Sequence, residues 1–278
     1  MAKQVILHLT LKARNVGQWT HSLHIRGLNW SLALNEASSC HDGSASLASL
    51  LSCMPNLHEL RVHNHPCAQD ELLAIANTSH AALQRLDVMV TSSGMLSGPL
   101  LGLVGELQHL RWLDFTYRGV EWNAPASLRL PLLEYLFWNA RPDASLDFLA
   151  HCQFPRLVRL KLGAETTMSA TSEQHLAPFF SAHRNHILAL DGVCDAYLSR
   201  LIASAAFARE IWLDFPLYRS PKLSADLLHH MPATGVAIEL PYADYVHPFM
   251  ASVIPELCDD SVRPPALKEV HFMRGFHW

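Results

Sequence analysis

Leu57-His-Glu-Leu60-Arg-Val62 is a phrase that this chain keeps restating: apolar, two variable residues, apolar, one variable residue, apolar. Leu83-Gln-Arg-Leu86-Asp-Val88 repeats it, followed by Leu110-Arg-Trp-Leu113-Asp-Phe115, Leu133-Glu-Tyr-Leu136-Phe-Trp138 and Leu157-Val-Arg-Leu160-Lys-Leu162. Looser copies stand at Ala208-Arg-Glu-Ile211-Trp-Leu213 and Leu267-Lys-Glu-Val270-His-Phe272, and Leu23-His-Ile25 precedes the set. The middle apolar residues, Leu60, Leu86, Leu113, Leu136, Leu160, Leu190, Ile211, Val236 and Val270, are separated by 26, 27, 23, 24, 30, 21, 25 and 34 residues. Self-similarity at a near-constant period is the mark of a stacked repeat architecture.

The mean step of about 26 residues lies within the roughly 20–29 residues of leucine-rich repeats. Each phrase alternates apolar and polar, the period of a half-buried strand. Apolar residues at helical spacing fill the intervals, as in Asp70-Glu-Leu72-Leu73-Ala-Ile75-Ala76, Ser145-Leu146-Asp-Phe148-Leu149 and Tyr197-Leu198-Ser-Arg-Leu201-Ile202. Thr171-Ser-Glu-Gln174 reads as a capping box opening the helix that carries Leu176, Phe179 and Phe180. Neither face of such a unit can be buried alone, so neighbouring units stack. Strand and crossover-helix units give parallel strands. The expected fold is an α/β leucine-rich-repeat solenoid, a horseshoe with parallel strands on the concave face and helices on the convex face. It forms a single domain over residues 1–278, with a capping region and first strand in 1–45 and irregular repeats in 46–278. A doubly wound α/β domain is the competing fold, and no Gly-rich phosphate loop supports it.

The chain has 278 residues, half of them apolar and 17% charged, which leaves ample material for a core. A net charge of −4 is too weak and too mixed to point to nucleic acid or a membrane surface. The N-terminus lacks a signal-peptide pattern, and the apolar run Met95 to Val104 holds Gly and Pro and is too short to cross a bilayer. The six cysteines, Cys40, Cys53, Cys67, Cys152, Cys194 and Cys258, are scattered with no C-x-x-C, which favours reduced thiols in the cytoplasm or nucleus.

Eighteen histidines invite a metal reading, with His63-Asn-His65 and His229-His230 the closest pairs and Cys67 beside the first. A zinc site needs three or four ligands, and no second cluster follows at metal spacing, so no metal and no cofactor are expected. Cys40-His41-Asp42 has the residue types of a triad, but adjacent residues cannot converge on one reacting atom. With no G-x-S-x-G, H-E-x-x-H or P-loop, the chain reads as a non-enzyme.

A partner would meet the variable positions, which face away from the core. On the concave wall these include Arg61, Arg85, Asp87, Trp112, Asp114, Tyr135, Phe137, Arg159, Lys161, Trp212 and Asp214. Trp112, Tyr135 and Phe137 fall on neighbouring strands at positions that should be wet, and aromatic and Arg residues are the usual anchors of protein interfaces. The face also changes sign. Arg26, Arg61, Arg85, Arg159 and Lys161 occupy its first part, and Asp191, Glu210, Asp214, Glu239 and Glu269 its last. The bland alternative is that loops bury the aromatics and the charges are merely solvated.

The irregular repeats, the absence of cysteine caps, and the opening Val5-Ile-Leu-His-Leu-Thr-Leu-Lys…Trp19-Thr-His-Ser-Leu-His-Ile-Arg resemble the region after the F-box in fungal F-box/leucine-rich-repeat proteins. In that family a short strand follows the F-box, here Leu7 to Lys12, and a second, here Ser22 to Ile25, begins the repeats. The resemblance implies a substrate receptor of a cullin-RING ubiquitin ligase whose horseshoe holds a protein target. The F-box itself is missing from these residues, and adaptor docking would need one upstream. A free-standing scaffold or inhibitor of the ribonuclease-inhibitor type is the alternative. A hydrolase or metalloenzyme is the reading from a third class.

Overall fold

The computed structural model describes residues 16–26, 47–67, 69–90, 97–118, 122, 127–140, 148–163, 172–183, 189–193, 210–214, 235–240, 255, 258–259 and 268–274. The expected strand Leu7 to Lys12, the helix at Tyr197 to Ile202, Cys40-His41-Asp42 and His229-His230 lie outside them. The protein is α/β with parallel strands. Each phrase forms a strand: β1 Ser22–Arg26, β2 Glu59–Pro66, β3 Arg85–Val90, β4 Trp112–Tyr117, β5 Tyr135–Ala140, β6 Arg159–Leu162, β7 Ala189–Val193, β8 Glu210–Asp214, β9 Gly235–Leu240 and β10 Glu269–Arg274. The described helices are α1 Leu47–Leu51, α2 Gln69–Thr78, α3 Ser97–Gly105 and α4 Ser172–His183.

Two compact units divide the chain. Met1–Leu136 with Ala140–Arg156 form the first, and Phe137–Asn139 with Leu157–Trp278 form the second. In the first unit β1, β2, β3 and β4 pair in parallel in sequence order. One register joins Ser22, Glu59, Arg85 and Trp112, and the next outward row joins His24, Arg61, Asp87 and Asp114. The same stitch recurs at each strand entrance. His21 O accepts from His58 N and Glu59 N, His58 O from Gln84 N and Arg85 N, Gln84 O from Arg111 N and Trp112 N, and Arg111 O from Glu134 N and Tyr135 N, all at 2.8–3.0 Å. Tyr135 therefore follows Trp112 in the first row. In the second unit β6, β7, β8, β9 and β10 pair in parallel in sequence order, with Leu160, Leu190, Ile211, Val236 and Val270 in one register.

Alternation along the phrases decides what is buried. In β3, β4 and β5 every second residue is buried and the residues between are half-buried. Leu60, Leu86, Leu113, Leu136, Trp138 and Leu160 are completely buried. In the first unit α1 packs beside α2, and α2 beside α3. Leu50, Leu51, Leu72, Ile75, Leu100, Leu101 and Val104 close the helical side of that core. Where a turn carries the chain inward, its hydroxyl is paired, as in Ser79 Oγ donating to Met54 O at 2.7 Å. Regular pairing between β2 and β3 shifts between Arg61 and Pro66, the stretch that holds His63 and His65.

Close approach requires glycine at position 17. Gly17, in the 3-10 turn Val16–Trp19, leaves no room for a Cβ, which would overlap the backbone carbonyl of Cys53. Gly17→Ala is expected to cost about 1–3 kcal/mol through forced backbone displacement. A urea midpoint equal to that of the wild type would show that the turn yields freely.

Candidate functional site

Outward residues of the first five strands meet in a continuous ladder. At its start Glu59 gathers four partners. Arg61 Nε donates to Glu59 Oε1 at 2.7 Å and Arg61 Nη2 lies 2.6 Å from the same oxygen. Ser22 Oγ donates to Oε2 at 3.1 Å, and His24 Nε2 lies 3.4 Å from it. Arg85 Nε stands 3.3 Å from Glu59 Oε1. That is close enough for ionic attraction, but Nε is not aligned as a hydrogen-bond donor and is buried with no acceptor among the described residues. We therefore regard this contact as electrostatic only.

Arg85 then turns its guanidinium over the Trp112 ring, with Cζ 4.1 Å from the ring centroid. Trp112 in turn stacks on Tyr135, centroids 3.6 Å apart and planes 19° from parallel. Cation–π contact and ring stacking each contribute roughly 0.5–1.5 kcal/mol at partly exposed sites. The Trp112 indole Nε1 is buried in this stack with no acceptor among the described residues. A buried donor without an acceptor costs about 1–3 kcal/mol.

Electrostatics follow the same geometry. Burial pushes the Glu59 carboxyl up, but hydrogen bonds from Arg61, His24 and Ser22, together with the Arg61 charge, outweigh it and hold the group below its ordinary range. A depressed carboxylate contributes stability that is fully present above its unfolded-state value, ordinarily about 4.3, and is lost as pH falls through the folded-state value. Glu59→Gln is thus expected to be less stable than wild type at pH 7, with the gap closing as the buffer is taken toward pH 3. Urea unfolding at both pH values checks this, and a gap that widens in acid would refute the pairing. For Arg85, burial and then the nearby Arg61 charge draw the guanidinium down, while Glu59, Asp87 and Asp114 oppose them. Arg85 remains charged at neutral pH.

The expected site residues separate into groups. Arg61, Arg85, Asp87, Trp112, Asp114 and Tyr135 lie together on the outer rows of the first unit, with Asp87 directly opposite Asp114 in register. In the second unit Phe137 is met by Lys161, whose Nζ is 5.8 Å from the ring centroid, and Arg159 opens β6 half-buried. Trp212 and Asp214 occupy β8 in register with Ala237 and Glu239, and their side chains lie outside the described residues. The structure corrects one detail. Trp112, Tyr135 and Phe137 face away from the core as alternation requires, but they are half-buried rather than freely wet. Stacking and the adjoining cations cover them. Glu59 was not singled out from residue order, because a carboxylate between two arginines is visible only once strands pair.

Two of the described thiols are deeply buried. Burial, then the charge and hydrogen bond of Glu71, push the Cys67 thiol well up. Burial pushes Cys152 up to about 12, against a backbone hydrogen bond from Leu128. Cys53 is half-buried and Cys258 exposed, and both are unbridged. Of the four described cysteines, Cys258 is expected to react fastest with iodoacetamide in native protein, and Cys67 and Cys152 only on unfolding. Mass spectrometry of the alkylated peptides reads the order, and early labelling of Cys67 would contradict its burial. Among the described residues no three His, Cys, Asp or Glu side chains gather as a ligand set. No described helix is long and apolar enough to cross a membrane.

Comparison with protein-family models and with curated sequences finds no match. A solved structure of a Bacteroides fragilis protein aligns at a TM-score of 0.46 and 10% identity, covering 88% of this chain and 72% of that one. A likeness at that level carries no argument about function.

Proposed function

We propose that the chain is a single leucine-rich-repeat solenoid, strands on its concave face and helices on its convex face, that binds a protein through the strand face and catalyses nothing. The observation that carries this reading is the Arg85–Trp112–Tyr135 stack. Three side chains of the types enriched at interface hot spots lie in one row on the outward side of the sheet, and the indole N–H among them has no acceptor among the described residues. A local rule broken on an otherwise consistent scaffold is where function is expected.

The partner reading follows the sequence resemblance. The chain acts as the substrate-recognition region of an F-box-type ubiquitin-ligase receptor, cytoplasmic or nuclear, with its target protein on the concave face and the ligase adaptor bound only through an upstream F-box. A free-standing scaffold or inhibitor accommodates the same stack without the ligase. The test is proximity labelling with the wild type and with Arg85→Ala/Trp112→Ala, followed by binding assays with the purified hit. A hit lost in the double variant supports the face. A hit retained at full affinity overturns it. A target whose turnover requires the cullin-RING machinery separates receptor from scaffold.

A further inference from the structure

A second cluster lies apart from the ladder, at the entrance of the first two strands. His21 and His58 stand 37 residues apart in sequence, yet their Nδ1 atoms are 3.2 Å apart. Both face one carbonyl oxygen, Asn56 O, at 3.2 Å from His21 Nδ1 and 2.7 Å from His58 Nδ1. The rings meet edge to face with centroids 5.0 Å apart, and His21 is solvent-exposed while His58 is half-buried. We infer that His21 Nδ1, His58 Nδ1 and Asn56 O form a binding site for a divalent transition-metal ion of the Zn2+ class.

The spacing is that of ligands on a shared ion. Two nitrogens each about 2.0–2.1 Å from Zn2+ at a tetrahedral angle lie about 3.3 Å apart. The three donor atoms form a triangle with edges of 2.7–3.2 Å. An ion just above that triangle lies within ordinary bond lengths of all three once the two rings turn their Nδ1 lone pairs from the carbonyl toward it, and water completes the shell on the exposed His21 side. Without the ion, each Nδ1–H can donate to a lone pair of Asn56 O, which satisfies the site. With the ion, the protons sit on Nε2 and the Nδ1 lone pairs bind metal. Imidazole nitrogen suits Zn2+, Ni2+ and Cu2+ over Mg2+ or Ca2+.

The residues that carry the donors are tied to one another before any ion arrives. Asn56 Nδ2 donates to Gln18 O at 2.8 Å, which ties the carbonyl-bearing residue to the first turn. His21 O accepts from His58 N and Glu59 N, so the two histidine backbones are fixed to each other. A bound ion would clip β1 to β2 through side chains as well as backbone. The site is independent of whether the strand face binds a partner.

The test is calorimetric titration of chelator-stripped chain with Zn2+, with His21→Ala, His58→Ala and the double variant alongside. Circular dichroism verifies that each variant is folded. The expected result is one Zn2+ per chain, weakened at least tenfold in each single variant, with Cu2+ binding tighter than Zn2+. Zn2+ should also raise the Tm of the wild type and leave that of the double variant unchanged. A wild type that binds no Zn2+ at millimolar concentration overturns the inference. So does a folded double variant that binds as the wild type does, since other histidines would then hold the ion.

Discussion

Leu113→Ala is expected to lower the unfolding free energy by about 2–5 kcal/mol. Leu113 is completely buried as the second residue of β4, in register with Leu86 on β3. Its neighbours are held by strand hydrogen bonds on both sides, so they cannot collapse into the space left behind. Cavities that cannot relax lie at the costly end of such series. The loss also falls between β3 and β4, which pair in register at Leu86 and Leu113. Chemical denaturation checks it. A midpoint within a few tenths of a molar of the wild type would mean that the phrase had been assigned to the wrong face.

Trp112→Ala, one residue away on the opposite face, is expected to invert that pattern. The change should weaken binding of the target protein by about 2 kcal/mol or more, roughly thirtyfold, as hot-spot truncations do. Its stability cost should stay well below that of Leu113→Ala. The residue forfeits the Arg85 contact and the Tyr135 stack, but it also removes a buried indole donor with no acceptor among the described residues. The pair of variants is a controlled comparison, because both sit on the same strand and differ only in the side of the sheet they serve. Should Trp112→Ala unfold the protein as readily as Leu113→Ala while affinity per folded molecule is unchanged, the ladder would be core and not interface.

Residue order alone was sufficient for the strands. Five clean phrases and their looser copies each became a strand carrying its anchor, from Leu60 on β2 to Val270 on β10. Burial of Leu86, Leu113, Leu136 and Trp138 follows directly from period-two alternation, since one apolar face cannot remain in water. The helices Gln69–Thr78 and Ser172–His183 were likewise legible from local spacing. The outward placement of Arg85, Trp112 and Tyr135 came from the same rule, being the complement of the buried set.

What those outward residues do to one another was not legible. Cross-strand contacts depend on register, and register between segments some 26 residues apart is set by tertiary pairing rather than by any local signal. Only pairing places Glu59 between Arg61 and Arg85, lays Arg85 on Trp112, and covers rings that alternation alone would leave wet. Histidines show the difference most directly. The adjacent pairs His63/His65 and His229/His230 drew attention because they are close along the chain. His21 and His58 did not, because 37 residues separate them until β1 and β2 bring their imidazoles to 3.2 Å.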